Sequence, residues 1–213
     1  MVDYFKKEYC NREGKLIMDY VTVDDLVMQT ISGDGDSDCH ALIMYALVLS
    51  IKAKTIVELG VRNGSSTAPL LLAAQKMGGK LYSVDIKPCL FGVSKDLVPF
   101  WEFHKSDALE FLHSWDETKI IDLIFIDDLH TRDHVAAEIQ SLKPLITPSS
   151  IILLHDTMYN HYQPKYHIDP NATGQWVGGG PAKAVMELDL SVWEFVTIPS
   201  CNGLTILRLK VEG

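Results

Sequence analysis

The sequence predicts an α/β domain: a seven-stranded, mostly parallel sheet with helices on both faces and an antiparallel hairpin at the C-terminal end. Three observations carry this expectation. Short apolar runs alternate with segments of helical length from residue 38 onward. The runs "IIDLIFI" and "SIILL" lack the polar alternation of a half-exposed strand, as strands buried on both faces do. Finally, "VWEFVTI" and "LTILRLK" are separated only by "PSCNG", a spacing that suits a hairpin. Strand and helix alternating at this spacing imply parallel pairing through crossover helices.

In chain order, "VDDLVMQTI" is an amphipathic N-terminal segment that can cover a site or meet a second subunit. Residues 38–52, "DCHALIMYALVLSIK", carry helical periodicity, with Asp38 as N-cap. Strands are expected near 55–59, 81–85, 101–104, 121–126, 150–154, 193–198 and 204–210. Helices are expected near 66–77, 107–114, 131–142 and 181–189. The one long irregular stretch, residues 157–180, is rich in aromatic, His, Gly and Pro residues. A loop of that length in a compact domain is usually functional or disordered. Trp176, Tyr159, Tyr162 and Tyr166 within it can wall a substrate pocket as a lid or pack on the core.

Composition narrows the function classes. With 213 residues, 47% hydrophobic and 22% charged, the chain suits a single domain over residues 1–213. Residues 1–35 then form an N-terminal helical cap. A formal net charge of −9 argues against a nucleic-acid partner, because phosphate affinity comes from Lys and Arg. No apolar run reaches the roughly 18–20 residues of a membrane span, and the polar start does not resemble a secretory signal. Cys10, Cys39, Cys89 and Cys201 are widely spaced without a CxxC pair. That speaks against a zinc site or disulfide framework and suits a reducing, cytoplasmic setting. The tripeptide Asn171-Ala172-Thr173 then matches a glycosylation acceptor by chance.

The chemistry is concentrated at "TIVELGVRNGSST". An apolar strand ends on Glu58, Gly60 and Gly64 follow with polar spacers, and a second apolar run of helical length begins at Ala68. Strand, glycine loop and helix bring backbone N–H groups close to a ligand. The spacing G-x-x-x-G is not the G-x-G-x-x-G of a dinucleotide site, and no Gly-Lys-Ser/Thr follows as in a P-loop. A nicotinamide-dependent oxidoreductase is therefore disfavoured. An acid beside the cradle would repel pyrophosphate but suits a cation such as a sulfonium or α-ammonium group. "LYSVDI" ends the next strand on Asp85, where a carboxylate can accept ribose hydroxyls. In "HKSDALEFL", Ser106 and Asp107 can address an adenine edge.

In this order and spacing, "VELGVRNGSST", "SVDI" and "KSDALEFL" resemble class I S-adenosylmethionine-dependent methyltransferases, with their Rossmann-like fold. The resemblance covers roughly residues 36–210. "IDLIFIDDLHTRDHVAAEI" and "SIILLHDT" resemble the metal-dependent O-methyltransferases that act on sugar and natural-product hydroxyls and on cephalosporin-type substrates. "GDGDSD" resembles the loop preceding the first motif in that group. It also imitates the start of a calcium loop, but Cys39 and Tyr45 stand where glycine and glutamate are required.

The resemblance assigns Glu58, Gly60 and Gly64, with Ser66, to the cofactor's methionine end. It gives Asp85 to the ribose, and Ser106 and Asp107 to the adenine. Asp127 is shared between cofactor, metal and, with His130, catalysis. Metal-dependent members commonly place a carboxylate immediately before the aspartate of "HDT", where this chain has His155, and Thr157 replaces an Asn found in some relatives.

Methyl transfer needs alignment and a deprotonated hydroxyl. Asp127 and Asp156 follow two apolar strands at the edge where open α/β sheets place ligands. With His155 they suit Mg²⁺ or Mn²⁺; otherwise they cap strands and start loops. His130, three residues after Asp127, matches the base proposed for the resembling sugar methyltransferases. Its alternative is a loop histidine capping the helix that begins near Thr131. Asp128 reads as a supporting or solvent-facing group and His134 as a surface helix residue. Arg62 contacts the cofactor carboxylate or is solvated.

The expected activity is thus a Mg²⁺-dependent O-methyltransferase acting on a small-molecule hydroxyl, with a homodimer as a mild preference. The alternatives are a metal-free methyltransferase on the same fold and a non-catalytic S-adenosylmethionine-binding module.

Overall fold

The computed structural model describes residues 16–18, 22–32, 37–89, 91–158 and 179–211. The sheet has seven strands: β2 (Thr55–Leu59), β3 (Lys80–Asp85), β5 (Trp101–Lys105), β6 (Leu123–Ile126), β7 (Ile151–His155), β8 (Trp193–Ile198) and β9 (Leu204–Leu209). Their spatial order is β5-β3-β2-β6-β7-β9-β8. The first five pair in parallel; β9 pairs antiparallel to both β7 and β8. This is the expected doubly wound sheet with its terminal hairpin. From β2 the chain winds outward to β3 and β5, then returns to lay β6 and β7 on the other side. The reversal between β2 and β6 is the crevice where ligands settle in such sheets.

Helices cover both faces because β2, β6 and β7 are buried on both sides and largely apolar, and a sheet so built must be sandwiched. On one face, α4 (Ala108–Ser114), α5 (Arg132–Leu142) and α6 (Gly180–Met186) bury Phe111, Leu112, Val135, Ile139 and Val185 against Val57, Ile124 and Ile152. On the other, α2 (Ala41–Ser50) and α3 (Thr67–Met77) bury Met44, Val48, Leu70 and Leu71 against Ile56, Phe125 and Leu153. α3 ends at Gly78, whose left-handed backbone (φ +60°) turns the chain into β3.

Three features depart from expectation, and the amphipathic N-terminal segment takes the helical form expected of it. Asp38 does not cap α2: residues Asp38–His40 form a 3₁₀ turn, and the Asp38 carboxylate accepts from Gln29 Nε2 at 2.7 Å. The N-terminal amphipathic segment is α1 (Val23–Ser32), docked on α2 and the 3₁₀ turn through buried Leu26. A short parallel pair, β1 (Leu16–Met18) with β4 (Phe91–Val93), was not anticipated. Lastly, Cys39 and Cys201 form a disulfide across 162 residues of sequence. The fold brings the turn before α2 against the β8–β9 turn, a proximity that cysteine spacing cannot reveal. The reading of the cysteine spacing as speaking against a disulfide is thereby corrected. Among the described residues no helix is long and apolar enough to cross a membrane. Cys10, the Asn171 tripeptide and the four lid aromatics lie outside the described residues.

Candidate active site

The candidate cofactor, metal and catalytic residues, all among the described residues, lie at or beside the C-terminal edge of the parallel strands, in three groups. The central group is the loop after β2. Gly60 has φ +89°, and a Cβ there would lie 2.2 Å from the Asp127 carbonyl oxygen. Only glycine lets this loop press against the end of β6, where Asp127 N–H donates to the Leu59 carbonyl at 2.8 Å. Gly64, also at φ +89°, donates to the Val61 carbonyl and starts the turn into α3. Gln29 of α1 reaches the same loop, donating to the Ser65 carbonyl at 2.9 Å.

Glu58 is placed differently from the sequence expectation. Its side chain has no exposure and turns inward, where it accepts from Ser66 Oγ (2.6 Å), Thr67 Oγ1 (2.9 Å to each oxygen) and Ser83 Oγ (2.5 Å). Ser83 in turn accepts from Trp101 Nε1 at 3.0 Å. Burial pushes the Glu58 carboxyl up to about 7, and the three hydroxyls act against that rise. The acid thus ties the start of α3 to β3 and shapes the glycine loop from behind. Ser66, at the N-cap position of α3, spends its hydroxyl on Glu58 rather than on the helix.

The second group lies toward β3 and β5. Asp85 Oδ2 accepts from the N–H groups of Val61 (3.0 Å) and Arg62 (3.1 Å), and Oδ1 accepts from Lys87 N–H at 2.8 Å. One carboxylate therefore fixes the glycine loop and its own turn. Arg62 sits in the left-handed region at φ +47°. The Ser106 N–H donates to the Asp85 carbonyl at 3.1 Å. Asp107 caps α4, its Oδ1 accepting from Leu109 and Glu110 N–H at 2.9 and 3.2 Å. Ile86, exposed beside Asp85, adds an apolar surface that the sequence reading passed over. The apolar residue after the acid in "SVDI" was its available signal.

The third group gathers on the β6–β7 side. His130 Nε2 lies 2.9 Å from Asp127 Oδ1 and 2.9 Å from Asp156 Oδ2. His155 Nδ1 stands 3.5 Å from Asp127 Oδ1 and 3.4 Å from Asp156 Oδ1. His155 is fully buried and meets the ring of His40 edge-on at 5.6 Å. Asp156 is 2% exposed and adopts φ +59°, a conformation a non-glycine residue keeps only where its surroundings impose it. The loop carrying His130 is braced by α6: at Gly180 a Cβ would lie 2.2 Å from the His130 carbonyl oxygen. Helix α5 is capped by Thr131, whose Oγ1 accepts from His134 N–H at 3.4 Å, not by His130.

Electrostatics bind this group together. Burial alone would lower the His130 pKa, but its bonds to Asp127 and Asp156 outweigh burial and raise it to about 10. For Asp127, burial acts upward, and the imidazoles of His155 and His130 overcome it, holding the carboxyl well below its usual range. Asp127, His130 and Asp156 present ligand atoms within 4.8 Å of one another, the kind of set that holds a divalent cation. Asp156 Oδ1 is buried without a hydrogen-bond partner, and a cation would satisfy it.

His134 corrects the sequence reading. It is not a surface residue: its side chain is 11% exposed, with Nε2 3.2 Å from Asp128 Oδ2 and 3.5 Å from Glu138 Oε1. Glu138 is fully buried and escaped notice altogether. The i, i+4 pair His134/Glu138 on one helix face was a signal for it.

Residues 57–157 match the family described as a methyltransferase domain. No curated protein matches the chain in sequence. Among solved structures, the chain is similar to the O-methyltransferase TomG from Streptomyces achromogenes, involved in tomaymycin synthesis and in complex with S-adenosylmethionine. The TM-score is 0.63 at 15% identity, covering 90% of this chain and 92% of that one. It is also similar to an O-methyltransferase from Bacillus cereus in complex with S-adenosylhomocysteine (TM-score 0.59, 15% identity, 88% and 90% covered). A third is a Podospora anserina methyltransferase bound to S-adenosylhomocysteine (0.59, 16%, 91% and 91%). At these identities the likeness is one of fold.

Proposed function

We propose that the chain is an S-adenosylmethionine- and divalent-metal-dependent O-methyltransferase acting on a hydroxyl of a small molecule, such as a sugar or natural product; the methyltransferase-domain match over residues 57–157 supports this reading. The observation that carries this reading is the convergence of Asp127, His130 and Asp156 at the crevice beside the glycine loop.

S-Adenosylmethionine, when bound, supplies a methyl group already activated by its sulfonium. The chain's own tasks are then to hold that molecule, orient the acceptor oxygen and take its proton. Gly60 and Gly64 keep the loop backbone open to the methionine end, and Glu58 with Ser66 and Thr67 holds that loop rigid. Asp85 and Asp107 retain acceptor capacity for ribose and adenine beyond the backbone donors they already bind, and Ile86 offers the purine an apolar face.

Asp127 and Asp156 would hold Mg²⁺ or Mn²⁺, with His155 behind them. Such a cation supplies charge that lowers the pKa of a coordinated hydroxyl. His130 is the base of this reading. While both carboxylates face its Nε2 it stays protonated at neutral pH, and it accepts a proton once their charge is engaged elsewhere.

One observation favours a second reading, a metal-free methyltransferase. The His130 ring already lies between the two carboxylates, and as an imidazolium it balances their charge without a cation. Turnover with a panel of sugar and phenolic acceptors separates the two. On the metal reading, EDTA abolishes methyl transfer, Mg²⁺ restores it, and Asp156→Asn is inactive while S-adenosylhomocysteine binding by calorimetry persists. His130→Ala is expected to lose on the order of 10²–10⁴ in kcat. Full activity in chelator overturns the metal; binding without turnover on any acceptor overturns the enzyme.

A further inference from the structure

Beside that site, the described residues hold a second convergence of ligating side chains, between the loop after β6 and α5. Asp128, His134 and Glu138 place one ligand atom each within 4.8 Å of the others. Their roles in packing do not account for them. Glu138 lies on α5 facing the apolar layer that contains Val135, Ile139 and Leu142, where a carboxylate is costly unless paired. Both Glu138 carboxylate oxygens are buried without a hydrogen-bond partner, and so is Asp128 Oδ1. The approach of His134 Nε2 to Glu138 Oε1, 3.5 Å, is at the outer limit of a hydrogen bond.

The spacing suits something else. Two ligand atoms each about 2.0–2.1 Å from a tetrahedral ion stand about 3.3–3.4 Å apart. The separations here, 3.2 Å from His134 Nε2 to Asp128 Oδ2 and 3.5 Å to Glu138 Oε1, bracket that value. One imidazole with two carboxylates is a donor set that a first-row transition ion of the Zn²⁺ class accepts, imidazole being a ligand such ions favour. The site is reachable, since the Asp128 side chain is 20% exposed and that of His134 11%, while Glu138 forms the floor.

We propose that Asp128, His134 and Glu138 form a Zn²⁺-class binding site distinct from the Asp127–His130–Asp156 group. An ion there would take up the unpartnered Glu138 oxygens and Asp128 Oδ1 and tie Asp128 to α5. Asp128 directly follows Asp127, so the ion would also pin the loop that carries Asp127 and His130. This inference is independent of the metal-dependent reading of the active site and survives its failure.

The test starts from a protein in which the first group is disarmed, Asp127→Asn/Asp156→Asn. Titrated with Co²⁺ as a spectroscopic stand-in, this double variant is expected to take up a single equivalent, with visible absorption bands that Zn²⁺ abolishes. Zn²⁺ alone should raise its melting temperature. Adding Asp128→Asn or His134→Ala should weaken Co²⁺ uptake on the order of tenfold or more. Asp128 is partly exposed, so its substitution tests the site even if Glu138→Gln fails to fold. The proposal is overturned if the double variant takes up no Co²⁺, or if uptake is unchanged by both added substitutions.

Discussion

Glu58 is an acid whose partners are all hydroxyls, held in full burial behind a glycine loop. Its carboxyl is pushed up to about 7, above the ordinary glutamate value near 4.5. Between those two pH values the folded chain keeps a proton that the unfolded chain has released, so stability falls as pH rises through the window and levels off above it. At about 1.4 kcal/mol per unit the loss amounts to about 3 kcal/mol. Urea unfolding of Glu58→Gln at pH 5 and pH 8 should show this decrement removed; an unchanged pH dependence would assign it to other groups. Buried His40 works in the opposite sense. Burial and the nearby His155 lower its pKa to about 4, so it contributes stability that is lost as pH falls below the free-histidine value of about 6.5. Single residues were legible in proportion to how local their cues are. Asp127, His130 and Asp156 sit just after apolar strands, and chain position alone brings them to one edge. Glu58 lies in a strand buried on both faces, where alternation does not tell which way a side chain points. His134 was misread because its surroundings depend on Asp128, which the turn before α5 folds back onto the helix.

Elements were legible wherever an apolar run was long enough to require burial. The seven strands and helices α2–α6 answer to that rule, and the parallel order follows from their alternation. The β1–β4 pair escaped because three-residue strands carry no period, and the 3₁₀ turn at Asp38 escaped because Gln29 competes for the capping carboxylate. The glycine loop was expected to bring backbone close to a ligand; the close approach the fold shows is to the protein itself. Gly60 abuts the Asp127 carbonyl, so the loop after β2 and the end of β6 form one unit. Gly60→Ala would place a Cβ inside contact distance at a backbone angle that alanine disfavours. We expect a destabilisation of about 1–3 kcal/mol, together with a loss of turnover larger than stability explains, because Asp127 is displaced. Thermal unfolding and kcat measured on the same preparation separate the two; a variant that is destabilised but fully active would uncouple the loop from the β6 edge.

At the scale of the whole molecule, the sheet gathers the three groups of candidate-site residues on one edge, and the Cys39–Cys201 disulfide fastens the turn before α2 to the terminal hairpin. His40 follows Cys39 directly, packs on His155, and lies close to the backbone of Ser200 and Cys201. The cross-link therefore spans the part of the fold that backs the β7 end of the active site. It closes 162 residues, and a loop of that size constrains the unfolded chain strongly. Reduction, or Cys39→Ser with Cys201→Ser, should cost about 2–4 kcal/mol and lower the melting temperature by about 5–15 °C. The double variant should then no longer respond to reductant. Mass analysis after thiol labelling under denaturation checks the premise directly: untreated protein should label at two fewer cysteines than reduced protein. Equal labelling in both would mean that the two sulfurs are neighbours without a bond, and the stability difference should then vanish with it.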